Sequence, residues 1–319
     1  MYEQLLRLDD IRINFSAGGM HVVNLILAFV MFGVALGIKP QMFKNVFKHP
    51  KSVILGLFCQ WIALPALTFL LVVIFSNYIT PMIAMGMILV AACPGGNMSN
   101  FMSQLSKGNT ELSISLTAVT TAFSTIVTPF NFSFWGGLYV NFVNKQAGSA
   151  LQELHINTTQ MFETVFLLLG IPIVLGFLVV KFFPKIAEKL KKPMQYISIL
   201  FFVAMIVIAF RNNLDIFIQY IFYIFILVFI HNLTALSTGF GLSTLFRVPA
   251  VDRRTLTIET GIQNSGLGLV LLFNPNIFPP DMAIGGMLLV TAWWGIWHII
   301  SGLTISLYWS RRPVKQIDN

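Results

Sequence analysis

The sequence predicts an all-α polytopic membrane protein with about nine transmembrane helices, two of them discontinuous. Hydrophobic residues make up 56% of the 319 residues, and charged residues only 10%. A soluble domain needs about a quarter of charged residues to cover its surface, so this composition excludes a soluble fold. Two apolar segments are interrupted by clustered polar residues, at 92–100 and 258–266. Such paired breaks are typical of membrane carriers.

Nine apolar segments predict the spans, since about 20 residues of helix cross about 30 Å of hydrocarbon. In chain order they cover residues 21–38, 53–75, 81–106, 110–128, 158–180, 194–210, 216–245, 255–273 and 282–309. The longest connection is expected at residues 129–157, where Trp135 and Tyr139 suit the membrane interface.

The basic residues predict the orientation of the chain. Of the 20 Lys and Arg residues, 16 follow the odd-numbered spans, and the Lys-rich connection 181–192 after the fifth span is the clearest group. Basic loops remain cytoplasmic. We therefore expect an integral protein of the inner or plasma membrane with its N-terminus outside. Residues 1–20 would form a short amphipathic segment on the outer surface, and residues 311–319 a cytoplasmic tail.

The order of the spans indicates an inverted repeat. Spans one to four and six to nine can be superposed in order, and in each set the third span is the interrupted one. Corresponding helices are five spans apart, so they cross the membrane in opposite directions. We assign residues 21–157 to the first repeat and 158–310 to the second, which also contains the unmatched span five. Inverted repeats with discontinuous helices place a binding site near the midplane and permit alternating access.

Glu259 is the acidic residue that stands within an apolar span, beside the second break. The other acidic residues, of twelve in all, lie in loops or near span ends. A carboxylate at membrane depth costs at least a few kcal/mol, so it should face a cavity and have a partner. No Lys or Arg is expected in the spans around it, which leaves a bound cation or a proton. The alternative is a protonated Glu259 that hydrogen-bonds between helices.

Oxygen-bearing groups near the two breaks complete a possible cation site. They are Ser99, Asn100, Ser113, Thr117, Gln263, Gln60 and the backbone carbonyls of Thr260 and Ile262. Ser113 and Thr117 are four residues apart and share one helix face. Hard cations prefer such oxygen ligands, and one carboxylate among neutral oxygens favours a monovalent ion. The helix turns that begin after each break expose free N–H groups, which suit an organic anion.

Several motifs, in order along nearly the whole chain, resemble those of the bile acid:sodium symporter family. They are Cys93-Pro94-Gly95-Gly96 followed by Ser99-Asn100, Lys107-Gly108-Asn109 with Leu112-Ser113, the run Glu259-Thr260-Gly261-Ile262-Gln263-Asn264-Ser265-Gly266, Met31-Phe32-Gly33, His49-Pro50-Lys51, His231-Asn232, and Trp297-His298 before Ser301-Gly302. The resemblance implies a core domain (spans two to four and seven to nine) that rocks against a panel domain (spans one, five and six).

The resemblance also implies two bound sodium ions and a substrate site. The first sodium site would consist of Ser99, Asn100, Ser113, Thr117 and Glu259. The second would consist of Gln60, Glu259, Thr260, Ile262 and Gln263, with Thr260 and Ile262 contributing carbonyls. Substrate contacts are expected from Asn97, Asn264, Ser265 and His298. The chain departs from bacterial members in starting one helix later, and in having Ile299 where they commonly have Asn.

These observations favour a sodium-coupled symporter of an organic anion, bile acid-like or a small carboxylate, that acts as a monomer by alternating access. His231 and His298 lie on different spans without Cys or carboxylate at ligand spacing, so they indicate helix packing rather than a metal site. The chain has no metalloprotease or nucleophile-elbow motif, so we expect no catalytic residues, no enzyme activity and no nucleic-acid partner. Two alternatives stay open: a sodium/proton antiporter-like carrier and a non-transporting membrane receptor.

Overall fold

The computed structural model describes residues 2–9, 25, 28–38, 41–42, 50–147, 163, 166–211, 214–274, 277–279, 282–312 and 314. Within these ranges the regular structure is helical, apart from one isolated β-bridge. In chain order the α-helices are α1 (Tyr2–Asp9), α2 (Pro50–Phe58), α3 (Leu64–Ile74), α4 (Pro81–Ala92), α5 (Met98–Leu105), α6 (Thr110–Ala147), α7 (Ile171–Phe182), α8 (Pro184–Arg211), α9 (Leu214–Leu245), α10 (Ala250–Gly261), α11 (Ser265–Leu272) and α12 (Gly285–Ser310). Residues 28–35 are also helical, and π-helical turns precede α3 (Cys59–Ala63) and α7 (Phe166–Gly170).

Among the described residues, four helical segments are long and apolar enough to cross a membrane. They are Pro50–Ile74, Thr110–Lys145, Ile218–Leu245 and Gly285–Ser310. Two further helices, α4 and α7, are also apolar but shorter than these four segments. The chain is therefore an all-α membrane protein, as the composition predicts. Parts of the spans expected at 21–38 and 158–180 lie outside the described residues, and the number nine stays a prediction.

The two breaks expected from the sequence are present. Helix α4 ends at Ala92 and α5 begins at Met98. Helix α10 ends at Gly261 and α11 begins at Ser265. Each pair therefore consists of two short helices separated by a few non-helical residues, which is the form of a discontinuous span.

The connection expected at residues 129–157 is wrong over its first part, because α6 continues as one helix of 38 residues to Ala147. Pro129 lies inside this helix, and a proline in a helix interior costs about 3 kcal/mol. The aromatic residues that follow offset this cost by packing, since Phe132 and Tyr139 are almost fully buried in the protein core and close packing stabilises membrane helices. Trp135 packs against Phe69 at 5.5 Å between ring centroids, so it belongs to the core and not to a loop.

The Lys-rich segment 181–192 is also largely helical. The sequence predicts a connection there, followed by a sixth span that begins at residue 194. Helix α7 ends at Phe182, and α8 begins at Pro184 and continues to Arg211. Proline favours the first turn of a helix, and the Lys, Leu and Glu residues that follow are good helix formers. The basic side chains therefore lie on an exposed helix rather than in a loop.

Close contact between α4 and α12 forms the centre of the core. Ten of the twelve residues of α4 are buried. A methyl group on Gly86 would lie 2.7 Å from Cα of Met287, and one on Gly286 would lie 2.9 Å from the backbone nitrogen of Ile83. Small residues at such positions let two helix backbones touch. The break that follows α4 is thus attached to a rigid pair of helices.

The N-terminal helix α1 packs against these core helices, close to the N-terminus of α4. Leu5 is fully buried, and the Asp9 carboxylate accepts a hydrogen bond of 2.8 Å from the Thr80 hydroxyl, just before α4. A carboxylate next to a helix N-terminus is favourable. The expected surface segment is therefore anchored through residues 2–9, while residues 10–20 lie outside the described part of the chain.

Candidate cation site at the crossed helix breaks

Two backbone hydrogen bonds join the breaks where they cross. The N–H of Gly96 donates to the carbonyl of Ile262 at 2.7 Å, and the N–H of Asn264 donates to the carbonyl of Pro94 at 2.8 Å. Together they form the isolated antiparallel bridge between Gly95 and Gln263. Buried backbone groups need such partners, and here each break supplies them to the other. Helices α5 and α11 begin directly after this bridge.

Glu259 lies in the last turn of α10 and is completely buried. The hydroxyls of Ser99 and Ser113 both donate to its Oε1 atom, and the hydroxyl of Thr117 lies 3.1 Å from Oε2. The side-chain oxygen of Asn100 accepts from Ser113 at 2.9 Å and from Thr117 at 3.3 Å. Three helices, α5, α6 and α10, thus bring all five residues of the first predicted sodium site into contact.

The atoms of this cluster fit a small hard cation. Its side chains contribute six oxygens, four from neutral groups and two from Glu259, and the hydroxyls among them carry three protons. Ser113 illustrates the excess of acceptors, because its single proton faces oxygens of both Asn100 and Glu259. Hard cations take such oxygen sets, and one negative charge matches one monovalent ion.

The second predicted sodium site is assembled around two glutamines. The Gln60 side-chain oxygen accepts from the N–H of Gly95 at 3.1 Å, and the Gln263 amide donates to the carbonyl of Thr260 at 2.9 Å. The Gln263 side-chain oxygen is buried and has no hydrogen-bond partner among the described residues. An unpaired buried acceptor costs about 1–3 kcal/mol, so this oxygen is a suitable ligand. The Ile262 carbonyl, expected to be free, instead accepts from Gly96.

A π-helical turn directs Gln60 toward the crossing. Pro65 has no N–H, so the carbonyl of Trp61, four residues earlier, has no helical partner. The amide of Asn131 on α6 donates to that carbonyl at 2.9 Å, and the N–H of Leu64 bonds to Cys59 five residues back. Single π-turns of this kind recur at functional sites. Sequence reasoning placed Asn131 in a connection and missed this role, although Pro65 signals an unpaired carbonyl.

The predicted substrate residues lie at the starts of the two helices that follow the breaks, and on α12. Asn97 is exposed before α5, and the side-chain oxygen of Asn264 caps α11 by accepting from the N–H of Leu267 at 3.0 Å. Ser265 is buried against α12, because a methyl group on Gly295 would lie 2.8 Å from its hydroxyl. His298 follows Gly295 by three residues and therefore shares its helix face.

The ring of His298 is buried, and its Nδ1 atom has no hydrogen-bond partner in the part of the chain that the structure describes. Ile299 packs with Met102 and Ile262 beside the crossing. Ile299 therefore makes an apolar contact at this position.

Other polar residues hold the helices around the site. The Asn232 amide donates to the carbonyl of Gly261 at 2.8 Å and so caps the end of α10. His231 is 2.9 Å from the Thr68 hydroxyl, and its ring packs on Trp294 at 4.6 Å between centroids. These contacts agree with the packing role expected for His231. Within the described ranges, no group of three or more His, Cys, Asp or Glu residues forms a metal cluster.

Several known proteins with similar sequences have the names of sodium-dependent transporters. Residues 24–220 match a family model described as the Sodium Bile acid symporter family. The chain is 30% identical over 294 residues, 92% of this chain and 84% of the relative, to the "Uncharacterized sodium-dependent transporter YocS" of Bacillus subtilis. It is 25% identical to the rice protein "Probable sodium/metabolite cotransporter BASS2, chloroplastic" over 84% of this chain and 62% of that protein. It is 28% identical to human "Sodium/bile acid cotransporter 4" over 84% of this chain and 59% of that protein. The chain therefore spans about three fifths of the length of these plant and animal relatives.

Proposed function

The chain belongs to the sodium bile acid symporter family, and we propose that it is a sodium-coupled symporter that carries an organic anion by alternating access. Its family and relatives are sodium-dependent transporters rather than enzymes. The family and the apolar helices also make it an integral membrane protein. The organic anion, the two sodium ions and the mechanism are our proposal.

The observation that carries this proposal is the buried carboxylate of Glu259 inside a cluster of neutral oxygens. The Ser99 and Ser113 hydroxyls donate to it from α5 and α6. Three hydroxyl donors stabilise the negative charge, but they leave one net charge in a buried place, which is costly. A sodium ion bound among the same oxygens would neutralise that charge. It would also join α5, α6 and α10 through shared ligands.

A second sodium ion would use Gln60, Gln263, the carbonyls of Thr260 and Ile262, and the other side of Glu259. The unpaired side-chain oxygen of Gln263 supports this assignment, and so does the contact of Gly95 with both Gln60 and Glu259. Because Glu259 belongs to both sites, a sodium ion in one site would reduce the negative charge that the other experiences. The shared ligand therefore couples the two sites, and the neutral oxygens of the second site must supply much of its affinity.

The substrate would bind where α5 and α11 begin. The free N–H groups of a helix N-terminus attract anions, and Asn97, Asn264, Ser265 and His298 surround these two starts. Sodium bound at the breaks would hold the N-termini in place, so that sodium and substrate strengthen the binding of each other by the same factor. The core domain (spans two to four and seven to nine) would then rock against the panel domain (spans one, five and six). We further propose a monomer in the inner or plasma membrane, with the N-terminus outside.

Uptake into proteoliposomes tests this function. Radiolabelled taurocholate would be supplied with an inward sodium gradient, and a matched potassium gradient would be the control. We expect accumulation above equilibrium with sodium, and none with potassium or with Glu259→Gln. If taurocholate gives no signal, small carboxylates would replace it in the same vesicles. Sodium-dependent binding without accumulation would support a receptor instead, and sodium efflux driven by a proton gradient would support an antiporter.

A further inference from the structure

A cationic pocket lies where α9 and α12 end and α10 begins, away from the crossed breaks. The cavity has a volume of about 210 Å³ and is lined by Phe240, Ala250, Arg253, Arg254, Trp309 and Val314. Two arginines and two aromatic rings thus line one cavity, next to the N-terminus of the twelve-residue helix α10. The proposed sodium sites use none of these residues.

Arg254 is buried and fixed by the backbone. Its guanidinium donates to the carbonyl of Ser106 at 2.6 Å, to that of Trp309 at 3.1 Å, and to that of Arg312. These carbonyls follow α5 and end α12, where the helix dipoles are negative. The same guanidinium lies over the ring of Trp309 at 5.7 Å. Arg254 therefore forms a rigid wall of the pocket, with its terminal nitrogens bonded to backbone carbonyls.

Arg253 is half-buried and held less tightly. One of its terminal nitrogens donates to the Thr244 hydroxyl at 3.2 Å, and its guanidinium lies 5.5 Å from the centre of the Phe240 ring. A guanidinium has five N–H donors, so this contact leaves several of them for another acceptor. The planar fork of Arg matches phosphate oxygens in pairs.

Exposed apolar side chains lie near the lining residues Phe240 and Trp309 in the chain, at the ends of α9 and α12 and at Phe246 just after α9. The exposed fractions are 45% for Phe240, 71% for Leu245, 49% for Phe246, 50% for Leu307 and 52% for Tyr308. Basic and aromatic residues side by side at the ends of membrane helices mark the level of the lipid headgroups. Basic pockets between helices at this level bind anionic headgroups.

We propose that the cationic pocket binds the phosphate of an anionic phospholipid, whose acyl chains lie along the exposed apolar side chains of α9 and α12. A free phosphate ion would use the arginines alone and would leave the flanking apolar surface without a role. The proposal depends on the chain lying in a membrane, and not on sodium coupling. A lipid bound here would connect α9, α10 and α12 on one side of the crossing.

Native mass spectrometry of the delipidated protein tests this proposal. The probes are dioleoyl phosphatidylglycerol and dioleoyl phosphatidylcholine, added at equal concentrations. We expect the wild-type protein to prefer the anionic lipid, and Arg253→Gln to weaken its binding by about fivefold. Ala250→Leu fills the cavity without changing charge and should weaken it as well. Arg247→Gln is the matched control, because Arg247 is an exposed arginine between α9 and α10 that does not line the cavity.

Three results would overturn the proposal. The first is equal affinity for the anionic lipid in Arg253→Gln and the wild-type protein. The second is an equal loss in Arg247→Gln and Arg253→Gln, which would show attraction to surface charge without a pocket. The third is displacement of the lipid by equimolar inorganic phosphate, which would show a site for a soluble anion. Arg254→Gln is not suitable as the main variant, since Arg254 also holds the ends of two helices.

Discussion

Gly95 and Glu259, from opposite breaks, are so close that a methyl group on Gly95 would lie 3.0 Å from Oε2 of Glu259. The same methyl group would lie 3.2 Å from the side-chain oxygen of Gln60. The backbone of the first break therefore touches the carboxylate and one glutamine of the proposed sodium sites. A glycine at this position is required by space rather than by an unusual backbone angle.

Gly95→Ala should weaken sodium binding. The added methyl group must displace Glu259 or Gln60, and such overpacking costs about 1–3 kcal/mol. We expect the sodium concentration for half-maximal uptake to rise by at least about fivefold. Gly137→Ala on α6 is the control, because a methyl group there has no neighbour within 4 Å. An unchanged sodium dependence in Gly95→Ala would show that the two breaks are not packed in this way during transport.

Ser113→Ala should reduce sodium affinity, because it removes a proposed ligand oxygen, and it should also lower the stability of the sodium-free protein. The Ser113 hydroxyl donates to Glu259, and a hydrogen bond to a charged group contributes about 1.5–3 kcal/mol. We expect sodium-dependent thermal stabilisation to require more than about tenfold higher sodium. Ser115→Ala is a close control, because Ser115 is buried on the same helix but bonds to the carbonyl of Glu111 at 2.8 Å. Equal effects of the two variants would contradict the first sodium site.

Glu259→Gln should abolish the response to sodium and leave a folded protein. The amide is similar in size to the carboxylate, and it removes a buried charge whose burial is unfavourable without a cation. We expect a melting temperature in sodium-free buffer at or above that of the wild-type protein, and no further rise when sodium replaces potassium. Normal sodium-dependent stabilisation in this variant would rule out Glu259 as the shared ligand.

The sequence predicts the class of fold and marks Glu259 because these depend on strong local signals. A carboxylate in an apolar segment is a rare pattern with few explanations, whereas hydroxyls four residues apart, as at Ser113 and Thr117, are common in helices. The other residues of the proposed sodium sites are assigned from their positions near the breaks and from the family resemblance. Contacts between distant segments give no such local signal in the sequence. Nothing near Arg254 in the chain shows that its guanidinium holds the carbonyl ends of two other helices.

The course of α6 beyond Pro129 was mispredicted for a similar reason. A proline followed by the pair Gly136-Gly137 favours a helix end locally, but burial of Phe132 and Tyr139 in the protein core decides the outcome. That information is spread over the fold and cannot be read from residues 129–147 alone.

Pro65 and Asn131 should behave as an energetically coupled pair, since the amide of Asn131 bonds to the Trp61 carbonyl that Pro65 leaves without a partner. Asn131→Leu leaves this partly buried carbonyl unpaired and should lower the free energy of unfolding by about 1–3 kcal/mol. Pro65→Ala supplies an N–H that can bond to the same carbonyl, so Asn131→Leu should cost less in that background. A double-mutant cycle from denaturation measurements gives the coupling.

Pro65→Ala should also straighten the π-turn and turn Gln60 away from Gly95, which would raise the sodium concentration for half-maximal uptake. Additive losses of stability, with unchanged sodium dependence in Pro65→Ala, would show that the π-turn does not position Gln60.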